Sequence, residues 1–136
     1  LGERTFTVDC DVIPADGGTR TASITGAYVA LYQAFFKMRK QDIYKAIPLK
    51  YAVAATSVGV VDRLKMLDLC YTEDSRAAVD VNVVMTEKGE FVEMQGTAEG
   101  KPFSKDTMDG LVALAEMGIR QLFEAQKAAI AGLLKA

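Results

Sequence analysis

The sequence predicts an α+β domain in which two long helices pack on one face of a β-sheet. Residues 19–40 and 104–134 carry the apolar periodicity of helices, whereas the segments between them have the patterns of strands. The chain has 136 residues, of which 50% are hydrophobic, so it can bury one core but is short for two. No linker-like stretch divides the sequence, and we interpret residues 1–136 as a single unit.

Residues 5–13 are predicted to form the first strand, because apolar and polar residues alternate there. The apolar positions are Phe6, Val8, Cys10 and Val12. Cys10 is therefore expected in the core. The segment from Pro14 to Gly18 favours turn geometry and ends this strand.

The first long helix is predicted over residues 19–40. It is apolar on several faces, which is typical of a helix buried on most sides. The rest of this chain is too small to cover it, so we expect apolar surface to be left exposed in the chain alone. Small residues along it would let neighbouring backbones approach closely, namely Ala22, Ser23, Gly26, Ala27 and Ala30.

Two hairpins are predicted next. Residues 51–61 and 64–71 are apolar runs joined at Asp62-Arg63, and residues 77–86 and 91–97 are joined by a short polar turn. Together with the N-terminal strand they would form the sheet.

The second long helix is predicted over residues 104–134. Ser104 suits the N-cap and Asp106 the first turn. Apolar residues recur along one stripe of this helix, which indicates that it packs on the sheet.

The composition excludes several chemistries. Histidine is absent, which removes Ser-His-Asp catalysis, His-ligated zinc and a histidine base from this chain. Cys10 and Cys70 are sixty positions apart without a CxxC motif, which argues against zinc and favours a reduced, cytoplasmic protein. The formal net charge of −2 has the wrong sign for a free-standing nucleic-acid binder. The chain starts at Leu1 rather than Met, so we expect a processed or split piece of something longer.

A candidate phosphate site lies where the glycine turn meets the first helix. The unpaired N–H groups of a helix N-terminus attract anions, and Gly18 permits close approach of the backbone. Arg20 and the hydroxyls of Thr19, Thr21 or Ser23 would add charge and donors for a tetrahedral oxyanion. An ordinary glycine turn with a helix cap explains the same pattern.

A second candidate site contains Asp74 and Asp80. They are an even number of residues apart, so in a mostly extended chain both carboxylates would face one side of the sheet, where they suit Mg²⁺. Alternatively, Asp80 and Asn82 merely solvate the outer face of a strand whose valines point inward. Glu93 and Glu99 could orient a site, although glutamates at such positions are more often solvated.

Taken together, these stretches resemble the second half of the ribonuclease PH family nearly from end to end. The motifs that carry the resemblance are Leu1 to Thr5, Asp9 to Ile13, Ala15 to Gly26 (ADGGTRTASITG), Glu73 to Ala77, Val79 to Thr86 (VDVNVVMT) and Glu93 to Gly100 (EMQGTAEG). The family contains phosphorolytic 3′→5′ exoribonucleases that trim tRNA precursors, and its relatives form the rings of polynucleotide phosphorylase and the exosome.

The resemblance implies a two-layer fold of the ribosomal-protein-S5-domain-2-like type and a hexameric ring that acts on RNA. It places inorganic phosphate, the attacking co-substrate, at Gly18, Thr19 and Arg20, with a contribution from Ser23. It also makes Asp74 and Asp80 the catalytic, metal-associated residues, with Mg²⁺ as the expected ion.

Two departures from the family accompany the resemblance. Cys70 stands where an aspartate is expected in the L-D-L-x-Y stretch, which could weaken the metal site. The first half of the family's domain is missing, and with it another phosphate-binding arginine and much of the basic RNA path. The resemblance therefore implies an enzyme that is active only when assembled with an N-terminal half. A non-catalytic RNA-binding or scaffold subunit, and a small-molecule phosphotransferase, are the alternative interpretations.

Overall fold

The structure, a computed structural model that describes residues 1–135, contains one four-stranded antiparallel sheet within that range, together with long helices. In chain order the elements are α1 (Thr19–Lys40), β1 (Val53–Val61), β2 (Leu64–Leu67), α2 (Tyr71–Asp74), β3 (Val79–Thr86), β4 (Phe91–Ala98) and α3 (Lys105–Lys135). The predicted α+β class is confirmed. None of the helices in residues 1–135 combines the length and apolar character needed to cross a membrane.

The sheet has the strand order β2-β1-β3-β4, and both predicted hairpins form. Asp62 (φ 49°) and Arg63 (φ 68°) make the tight turn between β1 and β2, with the two left-handed residues that match the twist of a hairpin. The predicted run of residues 64–71 is too long for β2, which ends at Leu67. Asp68 also has a positive φ (58°), so the chain leaves the sheet there and enters α2.

The core lies between α3 and one face of the sheet. Leu111, Ala115 and Ile119 are spaced four residues apart on α3 and are almost fully buried. They pack with Val58 of β1 and with the inward-facing valines of β3. Burial of a side chain such as Leu111 stabilises the fold by roughly 2 kcal/mol. Ser104 caps α3 as predicted, because its hydroxyl accepts a hydrogen bond from the Thr107 N–H (3.1 Å).

The helix α1 covers an edge of β1 that β2 is too short to reach. β2 pairs only with residues 58–61, so the backbone groups of Val53 and Ala55 need other partners. The Thr25 hydroxyl accepts from the Ala55 N–H (3.0 Å) and donates to the Ala55 carbonyl (3.2 Å). The Gln126 amide of α3 donates to the carbonyls of Val53 (2.9 Å) and Thr25 (2.8 Å). These contacts anchor α1 on the sheet.

The prediction of a strand over residues 5–13 is wrong. No residue of this segment pairs with the sheet in the part of the chain that the structure describes, and Cys10 is exposed rather than in the core. The alternating pattern identifies a face that can be buried, but burial also requires a neighbouring strand, and residues 1–135 offer none to this segment. Phe6 is half-buried against Phe35, with ring centroids 4.8 Å apart.

The prediction that this chain alone leaves α1 incompletely covered is confirmed. Only Thr21 and Phe35 of α1 are buried, and its remaining residues are half-buried or exposed. The reason is that α1 contacts the sheet and α3 along one side, whereas within residues 1–135 the N-terminal segment alone borders the other.

Candidate functional site

Both candidate sites of the sequence open into one small cavity of about 140 Å³. Four elements (α1, β1, α2 and β3) and the glycine turn contribute its lining residues, which are Gly18, Thr19, Arg20, Ser57, Asp74, Asp80 and Asn82. The start of α1 is therefore close to the end of α2 and to the polar face of β3.

The glycine turn is held against the segment that precedes α2. Gly17 has a φ of 74°, and a Cβ atom at this position would lie 2.3 Å from the carbonyl oxygen of Leu69, so only glycine fits. Asp16 adds a hydrogen bond, because its Oδ1 accepts from the Tyr71 N–H (3.0 Å). These two contacts place the start of α1 beside the helix that carries Asp74.

The N-terminus of α1 is arranged as an anion site. Gly18 occupies the N-cap with a φ of 55°, and no side chain among the described residues caps the helix. The positive end of the helix dipole and the first-turn N–H groups therefore remain available at the cavity. The hydroxyl of Thr21 is turned away from this role, since Thr21 is buried and donates to the Gly18 carbonyl (2.8 Å).

Ser23, like Thr21, is a predicted phosphate-site residue that the structure does not bring to the cavity. Its hydroxyl donates to the Thr19 carbonyl (2.8 Å), and its side chain borders a separate groove between α1 and the N-terminal segment. Gly18, Thr19 and Arg20, in contrast, all line the cavity.

Asp80 projects from the sheet face opposite the α3 core. In the register of the sheet, Gly59, Asp80 and Thr97 form one row across β1, β3 and β4, and Ser57, Asn82 and Gln95 form the next. Asp80 is half-buried, and its Oδ1 atom is buried without a hydrogen-bond partner among the described residues. Burial raises the pKa of Asp80, and the nearby charge of Asp74 raises it further.

Asp74 reaches the same cavity by a different route from the one predicted. The residues between the two aspartates are not mostly extended, because Asp74 lies at the end of the short helix α2. Its carboxylate nevertheless lines the cavity with Asp80. Asp74 and Asp80 are therefore close together, as expected, but not because the chain between them is extended.

The two aspartates suit a hard cation that keeps several water ligands. They are too few for a cation whose ligands all come from the protein. No group of three or more Asp, Glu or Cys side chains suited to a metal occurs in the described residues. Mg²⁺ commonly uses one or two carboxylates and completes its shell with water and substrate phosphates. The unpartnered Oδ1 of Asp80 and the repulsion between Asp74 and Asp80 are both features that a bound cation would relieve.

Arg20 forms an ion pair that the sequence did not reveal. Its Nη2 atom lies 2.7 Å from Oε2 of Glu93 in β4. The hydrogen bond and charge of Glu93 raise the pKa of Arg20, and the hydrogen bond from Arg20 lowers the pKa of Glu93. The sequence signal was the even spacing of Glu93, Gln95 and Thr97, which places them on one face of their strand.

Ser57 and Asn82 are lining residues whose position also depends on the fold. Ser57 is buried in β1, and its hydroxyl accepts from the Leu69 N–H (3.1 Å), which links the sheet to the segment before α2. Asn82 lies beside Ser57 across the β1–β3 pair.

Cys70 occupies the N-cap of α2 and does not line the cavity. Its backbone N–H donates to the Glu73 carboxylate (2.9 Å), and its Sγ contacts Thr72 Oγ1 (3.2 Å). Aspartate is a favoured N-cap residue, so an aspartate at position 70 would serve this helix end directly.

Comparison with known proteins identifies the family that the sequence motifs resemble. Residues 51–118 match the sequence model of the 3′ exoribonuclease family, domain 2. The chain is 60% identical over 127 residues to proteins named ribonuclease PH from two strains of Dehalococcoides mccartyi, and 58% identical to the one from Syntrophomonas wolfei. These alignments cover 93% of this chain but 53% of each relative, so the chain spans about half the length of the curated relatives that it matches.

Solved structures with the same fold are more distant in sequence. Rice (Oryza sativa) Rrp46 superimposes with a TM-score of 0.68 at 15% identity, covering 88% of this chain and 51% of that one. An Archaeoglobus fulgidus exosome with RNA bound to its active site gives 0.67 at 19% identity, with 83% and 45% covered. The likeness to these structures supports the fold, whereas the family match rests on sequence. The chain belongs to the 3′ exoribonuclease family and carries its domain 2.

Proposed function

We propose that this chain provides catalytic residues of a phosphorolytic 3′→5′ exoribonuclease, which uses inorganic phosphate to release nucleoside diphosphates from RNA 3′ ends such as those of tRNA precursors. The observation that carries the proposal is the single cavity in which an uncapped helix N-terminus and Arg20 lie beside Asp74 and Asp80. The relatives named ribonuclease PH support the same assignment.

The first group of residues would bind the nucleophile. The N–H groups at Gly18 and Thr19 and the guanidinium of Arg20 provide oriented donors for a phosphate ion. A phosphate oxygen attacks the terminal phosphodiester of RNA in line. The new O–P bond forms as the bond from that phosphorus to the 3′ oxygen of the preceding nucleotide breaks. The chain contributes positioning and charge stabilisation to this step.

Asp80 would act on the leaving side of the reaction. A carboxyl with a raised pKa retains its proton more readily, and Asp80 can pass that proton to the departing 3′ oxygen. Alternatively, Asp74 and Asp80 as carboxylates are the residues that would hold Mg²⁺; Asp80 would then carry no proton, and the ion would neutralise charge on the reacting phosphates and on the departing oxygen in its place.

The proposed activity requires a second polypeptide equivalent to the N-terminal half of the relatives. The chain spans about half their length and has a net charge of −2, so it offers little positive surface for RNA. We infer that the partner supplies basic residues and that the pair builds a hexameric ring in the cytoplasm.

The test is a phosphate-dependent RNA assay on the assembled protein. The chain is mixed with the first half of Dehalococcoides mccartyi ribonuclease PH, assembly is followed by light scattering, and nucleoside diphosphates are measured with and without inorganic phosphate. We expect release only with phosphate, and at least about a hundredfold loss in Asp80→Asn within an intact assembly. An assembled ring that binds RNA but releases no nucleotide would instead support the scaffold interpretation.

A further inference from the structure

We propose that Glu93 is a positioning residue for the phosphate site: its carboxylate holds the guanidinium of Arg20 at the cavity and leaves the remaining N–H groups of Arg20 for the anion. The inference rests on the proposed function, because it assigns Glu93 a role in the binding of inorganic phosphate at Gly18, Thr19 and Arg20.

Arg20 needs such a partner. Its side chain is 51% exposed, and the bond from Nη2 to Glu93 Oε2 (2.7 Å) is the one polar contact recorded for its guanidinium within residues 1–135. A long side chain without an anchor samples many rotamers, and each phosphate-binding event would have to order it again. The contact with Glu93 orders the guanidinium before the anion arrives.

Glu93 is itself firmly placed. It lies in β4 opposite Val84, and the alternation of β3 puts Val84 on the same sheet face as Asp80 and Asn82. Its Oε1 atom is buried without a hydrogen-bond partner among the described residues, while Oε2 accepts from Arg20. Arg20 is therefore the recorded polar partner of the Glu93 carboxylate, as Glu93 is of the Arg20 guanidinium. The ion pair connects the first turn of α1 to β4.

The geometry favours positioning over competition with phosphate. A guanidinium has five N–H donors in a fixed plane, and one carboxylate oxygen at Nη2 leaves several of them free. A bidentate carboxylate would occupy two of these donors, whereas Glu93 contacts Arg20 through Oε2 alone. If Glu93 did act as a competitor, its removal would strengthen phosphate binding, which is the opposite of what we expect.

The experiment is a titration of the 136-residue chain with inorganic phosphate, followed by the NMR shifts of the Gly18 and Thr19 amides. Glu93→Ala should weaken phosphate binding about fivefold, and Glu93→Gln, which keeps an acceptor oxygen for Arg20, should stay within about threefold of the wild type. The double variant Arg20→Ala/Glu93→Ala should bind no more weakly than Arg20→Ala alone. Glu99→Ala removes the same charge at a residue that follows β4 and has no recorded contact with Arg20, and it should leave phosphate affinity unchanged.

The outcomes separate this inference from the proposed function. If the wild-type chain and Arg20→Ala respond to phosphate identically, the phosphate site itself is misplaced and the role of Glu93 fails with it. If Arg20→Ala weakens binding but Glu93→Ala does not, or strengthens it, the phosphate site stands and the positioning role is wrong. Additive losses in the double variant would likewise overturn it. Thermal unfolding of each variant checks that a lost response is not a lost fold.

Discussion

Asp16 accepts a hydrogen bond from the backbone N–H of Tyr71 (3.0 Å), and this contact joins the glycine turn before α1 to the first residue of α2. The two halves of the candidate site lie on these two segments. Arg20 follows the turn, and Asp74 ends α2. The hydrogen bond between Asp16 and Tyr71 therefore helps to set the distance between the phosphate-binding residues and the aspartates, although it involves neither group of residues.

Asp16→Ala should lower activity much more than stability. The bond is exposed, so its loss should cost about 1 kcal/mol or less of unfolding free energy. Displacement of α2 relative to α1 misaligns reacting groups, and we expect turnover of the assembled enzyme to fall about tenfold. Asp16→Asn keeps an acceptor oxygen at the same position and serves as the control. Equal turnover in the alanine variant and the wild type would show that the contact does not set the site.

Asp80→Asn should stabilise the chain at neutral pH while removing activity. Burial and the Asp74 charge raise the pKa of Asp80 in the folded state above its unfolded value. The folded state then binds the proton more tightly, so the stability linked to Asp80 is complete below the unfolded pKa and declines as pH rises through the folded pKa. At pH 7 the charged carboxylate of Asp80 lowers the free energy of unfolding, and the neutral side chain of asparagine removes this cost.

The gain in Asp80→Asn should be less than about 1 kcal/mol, since a half-exposed carboxylate is screened by solvent. Urea unfolding of both proteins at pH 7 and at pH 3 measures it. The difference in unfolding free energy between the wild type and the variant should shrink at the lower pH, where Asp80 is protonated in both the folded and the unfolded state. A variant that is less stable than the wild type at pH 7 would indicate that the Asp80 charge is favourably paired.

Gln126→Leu should destabilise the fold by about 1–3 kcal/mol, because the amide that serves the carbonyls of Thr25 and Val53 is lost and leaves them without that donor. Gln126 is buried at the junction of α1, α3 and β1. Gln121→Leu, at an exposed position of the same helix, is the matched control and should change stability by no more than about 0.5 kcal/mol. Similar losses in both variants would mean that leucine itself, and not the missing amide, is responsible.

The parts of this fold that the sequence predicted are those with local signals. The bounds of α1, the hairpin turn at Asp62-Arg63 and the Ser104 cap each depend on residues close together in the chain. The strand predicted over residues 5–13 failed because alternation does not say which strand lies beside it. The segment lies beside α1 without joining the sheet.

The candidate site was predictable in composition but not in arrangement. The glycine turn and the aspartates stand out by residue type, whereas the pairing of Arg20 with Glu93 depends on the register of β3 and β4. That register shifts between Val84 and Met85, next to the row of Glu93, and no local pattern announces an irregularity of this kind. The place of Ser57 in the cavity was also not predictable, because the residues around it there come from distant parts of the chain.

The uncovered side of α1 leads to a prediction about assembly. A groove of about 520 Å³ runs between α1 and the segment from Val8 to Pro14, and small residues of α1 form its floor. Val12 and Ile13 beside it are exposed. An apolar groove next to a segment that has a strand-like sequence but pairs with no strand suits a partner that supplies both a strand and side chains. We expect this partner to be the equivalent of the first half of the relatives.

Light scattering on the chain alone and after mixing with such a half should show a large rise in mass, towards a ring of six pairs, together with a higher unfolding temperature. Phosphate-dependent shortening of RNA should appear only in the mixture. It should weaken as salt is raised, because a basic partner would steer the polyanion although this chain is net acidic. Ile13→Asp places a charge beside the groove at a fully accessible position, so it should impair assembly and leave the isolated chain folded. A monomer of 14.7 kDa that shortens RNA by itself would contradict this account, because neither the partner nor the ring would then be needed.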